Sequence, residues 1–354
     1  MSPMTRQSIL AYGEPLQETH APLPVPTGTE VLLRVGHCGV CHSDLHLHEG
    51  HFGLGNGKVL DVRDGRTLPF TLGHEIEGTV EALGPEAEAA GVEIGAERVL
   101  YPWVGCGQCP NCQHGEEHLC ERPRQIGIQV DGGYATHVMV PHPRYLLDAT
   151  GVPKELAGSY MCSGVTAFSA LKKLADMGKR GPILIVGLGG VGMMGLAFAK
   201  AFFDQAPYVA DIDPAKREAA LAAGAAAAFD PSEDGVRKRF FKETGGGVFG
   251  AVDFVGAEGS LNFAQAVLRK GGKVVIVGLM GGAFSLPIPM FPLRGITIEG
   301  SYVGSREQAI EMLDLVRSGK VESIPFEVRP LSEANRSLDD LRAGRVAGRL
   351  VLAP

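Results

Sequence analysis

Nothing in the 354-residue chain approaches the roughly 18 uninterrupted apolar residues that a membrane-spanning helix needs. No run of lysine and arginine is present either. The formal net charge is -7 and the sequence pI about 5.9, a balance that offers no broad attraction for nucleic acid or an anionic membrane surface. The opening stretch, MSPMTRQSILAYGEP, lacks the apolar centre of a signal peptide, so a cytoplasmic location is the expectation. Fixed-period repeats and low-complexity linkers are also missing. With 45% hydrophobic and 21% charged residues, the composition is that of an ordinary globular protein. At this length two domains are expected rather than one core.

What the chain does have is clustered cysteine and abundant glycine. Its seven cysteines are Cys38, Cys41, Cys106, Cys109, Cys112, Cys120 and Cys162. Their odd number, tight spacing and lack of a secretory signal point to metal binding or catalysis rather than disulfides. The 49 glycines sit largely where tight turns or close backbone approach are expected.

Two patterns divide the chain. Up to about residue 156 it is β-rich, with segments such as EVLLRVG (30–36) and HEIEGTVEALG (74–84) broken by Gly, Pro and His-rich loops. From about residue 183 short apolar runs alternate with helical stretches. Six candidate strands emerge: ILIVG (183–187), YVADI (208–212), AAAF (226–229), AVDFVG (251–256), KVVIVG (273–278) and ITIEGSYV (296–303). Between them GVGMMGLAFAKAFF (190–203), PAKREAALAAG (214–224) and SLNFAQAVLRK (260–270) have helical character. Such alternation predicts an α/β fold, a six-stranded parallel sheet covered on both faces. The tail from about 304 carries one amphipathic helix, REQAIEMLDLVRSGK, and then short strands ending in GRLVLAP.

Directly after ILIV stands Gly187-Leu188-Gly189-Gly190-Val191-Gly192, a G-x-G-x-x-G that follows a strand and opens a helix. Gly187 would make the tight turn, Gly189 would let a pyrophosphate approach the backbone, and Gly192 would let helix and strand pack closely. The helix N-terminus adds free N–H groups and partial positive charge. An acidic residue is expected roughly 20 positions on, to hold the ribose hydroxyls. Asp211 stands there, with Asp213 as a competitor. A carboxylate repels the extra phosphate of NADP, so NAD is the expected cofactor.

Cys106-x-x-Cys109-x-x-Cys112-x7-Cys120 can close a tetrahedron of thiolates around zinc. With every position filled, that site would be structural. An iron–sulfur cluster or a C-x-x-C redox pair are the alternatives. Elsewhere three segments concentrate metal-capable and proton-carrying groups: Cys38-Gly-Val-Cys41-His42-Ser43-Asp44-Leu-His46, then Gly73-His74-Glu75, then Met161-Cys162-Ser163-Gly164. Two thiolates and an imidazole with one open position would make a catalytic zinc site that lowers the pKa of a bound hydroxyl. Taken singly, each residue also has a plain reading as a buried small side chain or a surface histidine.

The order GVCHSDLH, GHE, CxxCxxCx7C, CSGVTAF and VGLGGVG resembles the zinc-containing medium-chain alcohol dehydrogenases over nearly the whole chain. The resemblance implies a Rossmann domain at 157–297 and a β-rich, GroES-like catalytic domain at 1–156 and 298–354 with a structural zinc lobe. It implies two zinc ions and NAD, an alcohol or aldehyde substrate, and a homotetramer, with a homodimer as the other possibility. Cys41, His74 and Cys162 match the catalytic zinc ligands, and Asp44 the carboxylate that orients the ligand histidine. Ser43 matches the hydroxyl that takes the alcohol proton. His46 matches the outer end of that relay, through the cofactor ribose. Glu75 matches an acid able to approach the zinc, or one paired with a buried arginine such as Arg349. His42 and Arg349 match pyrophosphate contacts, Lys216 a cation near the ribose, and Thr166 a residue behind the nicotinamide. Trp103 and Phe52 are candidate pocket walls. Cys38 has no role in that pattern and reads as a buried thiol.

The stretch between Cys41 and His74 is longer than in the short members of that family. The excess, GNGKVLDVRDGRT (55–67), is polar and Gly-rich and reads as an exposed loop near the site. Rival readings are a polyol, amino-alcohol or hydroxyacyl dehydrogenase, a zinc-free reductase, and a non-catalytic NAD sensor. Polyol enzymes often place an acid where Cys162 stands. A zinc-free reductase would lack Cys41, His74 and the cysteine lobe, and a sensor would have no use for Ser43 and His46.

Overall fold

The computed structural model describes residues 3–88 and 91–354. Its N-terminal half is organised around the strand Val31–Val40, whose run VLLRVGHCGV is rich in β-branched and leucine side chains. It pairs antiparallel with Glu75–Leu83, His137–Val140 and Arg349–Ala353. The last of these pairs parallel with Phe326–Pro330, so the end of the chain completes the first sheet. Leu350, Val351 and Leu352 face Val40, Gly39 and Cys38 across the ladder. A separate three-stranded sheet carries Met4–Ile9 between Gln17–Ala21 and Phe70–Thr71.

The second sheet has six strands, all parallel: Leu184–Val186, Tyr208–Ala210, Ala227–Phe229, Val248–Asp253, Leu268–Ile276 and Thr297–Gly300. Numbered in chain order they lie 3-2-1-4-5-6, the doubly wound arrangement. Its topological switch point falls between Leu184–Val186 and Val248–Asp253. Leu184, Ile185, Val209, Val252 and Val274 are fully buried, as expected of parallel strands covered on both faces. The last strand belongs to this sheet, so the expected domain boundary between 297 and 298 cuts through it.

Three local expectations need correction. The helix expected over 260–270 is Glu258–Ala266, and Leu268 already begins the fifth strand. Gly271, at φ 72°, and a register shift between Val248 and Gly250 let LRKGG bulge into the sheet instead. The polar insert opens as part of a hairpin, His51–Gly55 with Lys58–Asp61, and only 62–67 is the expected loop. Asn56 and Gly57, at φ 52° and 74°, form the two-residue turn that suits paired strands. The tail holds a second helix, Ala334–Arg342. Its charged residues obscured a stripe in which Ala334, Ser337, Leu338 and Leu341 are buried.

Because Leu352 is fully buried in a strand between two others, Leu352→Ala should cost about 2–5 kcal/mol of stability. Denaturant titration measures this, and a loss below about 1 kcal/mol would contradict a central position for that strand.

Candidate active site and metal centres

Val31–Val40 delivers Cys41 to the N-cap of the helix His42–Glu49. Asp44, three residues on, accepts from the Cys41 backbone N–H at 2.8 Å and from the Tyr134 hydroxyl at 3.0 Å. Its other oxygen lies 3.4 Å from His74 Nδ1. Both Asp44 and His74 are fully buried. Neither ring nitrogen of His74, nor that Asp44 oxygen, makes a hydrogen bond among the described residues.

Cys162 comes from a different element, a π-helical turn Tyr160–Gly164 set between Lys154–Ser159 and Val165–Lys172. Such turns widen a helix and are frequent at functional sites. The Cys162 sulfur stands 3.9 Å from that of Cys41. Ligand-capable atoms of Cys41, His74, Glu75 and Cys162 all lie within 4.8 Å of one another. The Cys162 thiol beside it holds Cys41 well below the ordinary thiol value, and Cys162 is pushed well above it in return. Burial opposes a charge on His74, but Asp44 and then Cys41 outweigh it and raise its pKa well above normal. A buried, unpartnered imidazole nitrogen facing two thiols is costly unless an electrophile completes it. The donor set therefore fits a zinc ion.

Glu75 is fully buried and paired with Arg349, whose Nη2 contacts both carboxylate oxygens at 2.5 Å. Ser159 and Ser163 donate to the same carboxylate at 2.6 and 3.3 Å. Burial raises the Glu75 pKa and Arg349 opposes that rise. Arg349 is only 4% exposed and so is held mainly by Glu75. A Cβ built on Gly190 would nevertheless lie 3.0 Å from Arg349 Nη1, which places the guanidinium against the glycine turn as well.

That turn has the form its sequence predicts. Gly187 sits at φ 88°, and a Cβ on Gly192 would stand 1.8 Å from the Gly187 carbonyl oxygen. Gly189 faces open space, where a phosphate group could approach. Asp211 reaches the turn, accepting from the Leu188 N–H at 2.7 Å. Asp213 instead caps the helix Pro214–Ala222 through the Ala215 N–H, which separates the two candidates.

The remaining candidates fall around this frame. Ser43 and His46 are three residues apart on one helix and so share a face. Phe52, on the hairpin, stacks against His46 at 4.4 Å between ring centroids. His42 is exposed at the helix start. Partial desolvation and the positive charges of Arg349, His46 and Lys216 lower its pKa against the pull of Cys41. Lys216 is half-buried on the helix that Asp213 caps. Thr166 is buried one turn after Cys162. Trp103 is buried edge-on to His74, 5.7 Å between centroids, and Cys38 is a fully buried thiol.

In the outer lobe the sulfurs of Cys106, Cys109, Cys112 and Cys120 also lie within 4.8 Å of one another, and none is in a disulfide. Backbone N–H groups of Cys106 and Arg122 donate to Cys120 Sγ at 3.1 and 3.3 Å. The Gln108 and Cys109 amides lower the Cys106 thiol to about 6. Four sulfurs so gathered suit a closed tetrahedral metal site.

Sequence reasoning missed Tyr134, Ser159 and Ser163. Only Ser163, beside Cys162, lay within a motif. The others meet the site from distant segments.

Fold and site together define a nucleotide-linked oxidoreductase with two sets of metal donors. A family model described as an alcohol dehydrogenase GroES-like domain matches residues 27–150, and one described as a zinc-binding dehydrogenase matches 190–318. The NAD-dependent alcohol dehydrogenase of Sulfurisphaera tokodaii is 35% identical over 353 residues, covering 99% of this chain and 100% of its own. An alcohol dehydrogenase of Geobacillus stearothermophilus is 35% identical over 346 residues, 96% of this chain and 97% of its own. The crystal structure of the alcohol dehydrogenase from Aeropyrum pernix superposes with a TM-score of 0.84 at 30% identity, covering 99% of this chain and 100% of that one. The chain belongs to the zinc-containing medium-chain alcohol dehydrogenase family.

Arg349→Met leaves a buried carboxylate without its counter-charge and should cost about 3–5 kcal/mol at neutral pH. Losing the cation raises the folded-state pKa of Glu75 further above its unfolded value. Stability from the protonated acid is then fully present below the unfolded pKa and is lost as pH rises through the folded one. The deficit relative to wild type should therefore shrink at acid pH. Paired melts at acid and neutral pH measure it, and a constant deficit would refute a charge origin.

Proposed function

We infer that the protein is an NAD-linked, zinc-dependent alcohol dehydrogenase that interconverts a primary or secondary alcohol with its aldehyde or ketone. The observation that carries this reading is the convergence of Cys41, His74 and Cys162 next to a glycine turn that Arg349 touches. Cys41, His74 and Cys162 hold the catalytic zinc, and Cys106, Cys109, Cys112 and Cys120 hold the structural one. Zinc supplies a Lewis acid that acidifies an alcohol hydroxyl, and NAD supplies the hydride acceptor.

The chain's own groups do the rest. Asp44, 3.4 Å from His74 Nδ1, would orient that ring and so leave Nε2 for the metal. Ser43 Oγ takes the alcohol proton. The His46 ring, whose pKa is lowered by burial, can accept that proton and pass it outward. Phe52 packs against the His46 ring and limits its rotation. Gly187, Gly189 and Gly192 shape the phosphate site, aided by His42 and Arg349. Asp211 and Lys216 flank the ribose, and Thr166 backs the nicotinamide. Glu75 holds Arg349 in place and keeps its carboxylate close to the metal donors. Trp103 walls the pocket.

The two domains are proposed as 1–156 with the tail, and the parallel sheet from 157 through its sixth strand. The chain is proposed to form a homotetramer or homodimer in the cytoplasm. The open edge of Thr297–Gly300 supports assembly, as do the exposed side chains of Leu279, Met280, Ile288 and Leu293 in the segment leading to it. No helix among the described residues is long and apolar enough to cross a membrane.

Metal analysis should find two zinc ions per chain, falling to one in Cys41→Ala or His74→Ala. Those variants should lose more than ~100-fold in kcat/KM, beyond the loss expected for a group outside the donor set. Full turnover in either would sink the assignment. Asp211→Gly should reduce the preference for NAD over NADP by about tenfold, the scale of one hydrogen bond to a charged group. An unchanged ratio of the two kcat/KM values would remove Asp211 from the ribose site.

A further inference from the structure

The wall beside the metal donors carries two polar groups that the reaction does not use. Trp103 lies edge-on to His74, and Tyr302 lies edge-on to Trp103, each at 5.7 Å between ring centroids. The indole N–H donates to the Met161 carbonyl at 2.8 Å, so its single polar atom is already engaged. The Tyr302 hydroxyl is not so satisfied. It donates to Gln125 Oε1 across 3.5 Å, at the outer limit of a hydrogen bond. Tyr302 is 41% exposed overall, and desolvation of the phenol raises its pKa, so it remains a hydrogen-bond donor.

The backbone of Gln125 is tied to the segment that carries His74. Its carbonyl accepts from the N–H groups of Ile128, Gln129 and Val130, which makes a tight turn. That turn presses on the ligand strand: a Cβ on Gly127 would lie 2.5 Å from the Gly73 carbonyl carbon and 2.9 Å from the His74 nitrogen. Gln125 is 4% exposed, yet its amide nitrogen makes no hydrogen bond among the described residues.

The backbone beside Tyr302 is strained. Val303 holds φ at 41°, a region that β-branched residues avoid. Two anchors impose it: the Ser301 N–H donates to the Ile276 carbonyl at 2.9 Å, and the Tyr101 hydroxyl donates to the Gly304 carbonyl at 2.7 Å. Strain of this kind persists where the surroundings over-determine a conformation, and it collects at ligand sites.

We propose that Tyr302 Oη and the Gln125 side-chain amide form a polar subsite for a second oxygen of the substrate, so that the preferred substrates are diols and, in reverse, hydroxyaldehydes or hydroxyketones. The proposal rests on the alcohol dehydrogenase reading above. One hydroxyl is oxidised while the other is only bound. The long contact between the two side chains leaves both able to turn toward a substrate oxygen. A hydrocarbon alcohol would shed water from these groups and leave them unpaired, which a polar site penalises strongly.

The test compares terminal diols with mono-alcohols of equal carbon count, using zinc-loaded enzyme and NAD, in wild type, Tyr302→Phe and Gln125→Leu. Wild type should favour the diol series by about tenfold or more in kcat/KM, carried mainly by KM. Each variant should shrink that ratio by about tenfold, with the loss falling on the diols. Equal kcat/KM for the two series in wild type, or an equal proportional loss for both in the variants, overturns the subsite while leaving the dehydrogenase intact. Failure to oxidise any alcohol overturns the dehydrogenase reading and the subsite with it.

Discussion

The Glu75–Arg349 ion pair is the contact on which the architecture of this site turns. Glu75 follows the ligand His74 at the head of one strand, and Arg349 opens the last strand of the chain. Ser159 and Ser163 bring in the helix that carries Cys162, while the guanidinium edge lies under Gly190 of the nucleotide turn. Four separate segments are thereby fixed around one buried pair. Such a pair adds little net stability over a well-packed apolar alternative, because both charges lose water. Its value lies in tolerance of error: a misplaced strand would leave a full charge unpaired in the interior. Registration of the metal donors against the cofactor turn is thus enforced by a penalty rather than by a large gain.

The donors themselves are positioned by the same logic at smaller scale. Asp44 is held by the Cys41 N–H and the Tyr134 hydroxyl through one oxygen, and the other is aimed at His74. A single carboxylate thus locks the entry of a helix and the orientation of a ligand ring. The π turn at Tyr160–Gly164 contributes Cys162 from the opposite side, and in doing so spends regular helical geometry in the middle of a buried helix.

Much of this was legible in the sequence because it depends on local spacing. The glycine turn is fixed by the steric demands of Gly187 and Gly192, and six apolar runs announced six parallel strands. The cysteine lobe declared its four sulfurs in the same way. What escaped depended on partners distant in the chain. Tyr134 and Ser159 are unremarkable in sequence and acquire roles only when sheet and helix bring them to Asp44 and Glu75. The choice between Asp211 and Asp213 needed coordinates, since both follow the second strand and only one is consumed as a helix cap. The insert was read as loop from its polarity, although Asn56-Gly57 carried a hairpin signal. At Leu268 the apolar helical period ran on past the true helix end, and the following glycines settled the matter.

Charge accounting explains why the buried cluster calls for a divalent ion. Cys41, Cys162, Glu75 and Asp44 can each carry a negative charge, and all are buried. Arg349 offsets one, and Asp44 is stabilised by two hydrogen bonds. That leaves two thiols 3.9 Å apart with His74 as their neighbour. Without a cation, like charges at that separation cannot both persist, so the pair holds Cys41 below and Cys162 above the ordinary thiol value. A divalent ion held by Cys41, Cys162 and His74 would balance the charge of both thiolates and give the His74 ring a partner. The same step couples metal affinity to pH, because each donor must shed its proton before it can bind. The fold thus gathers donors whose charges are unbalanced without a cation, and the buried ion pair beside them ties the surrounding segments in place.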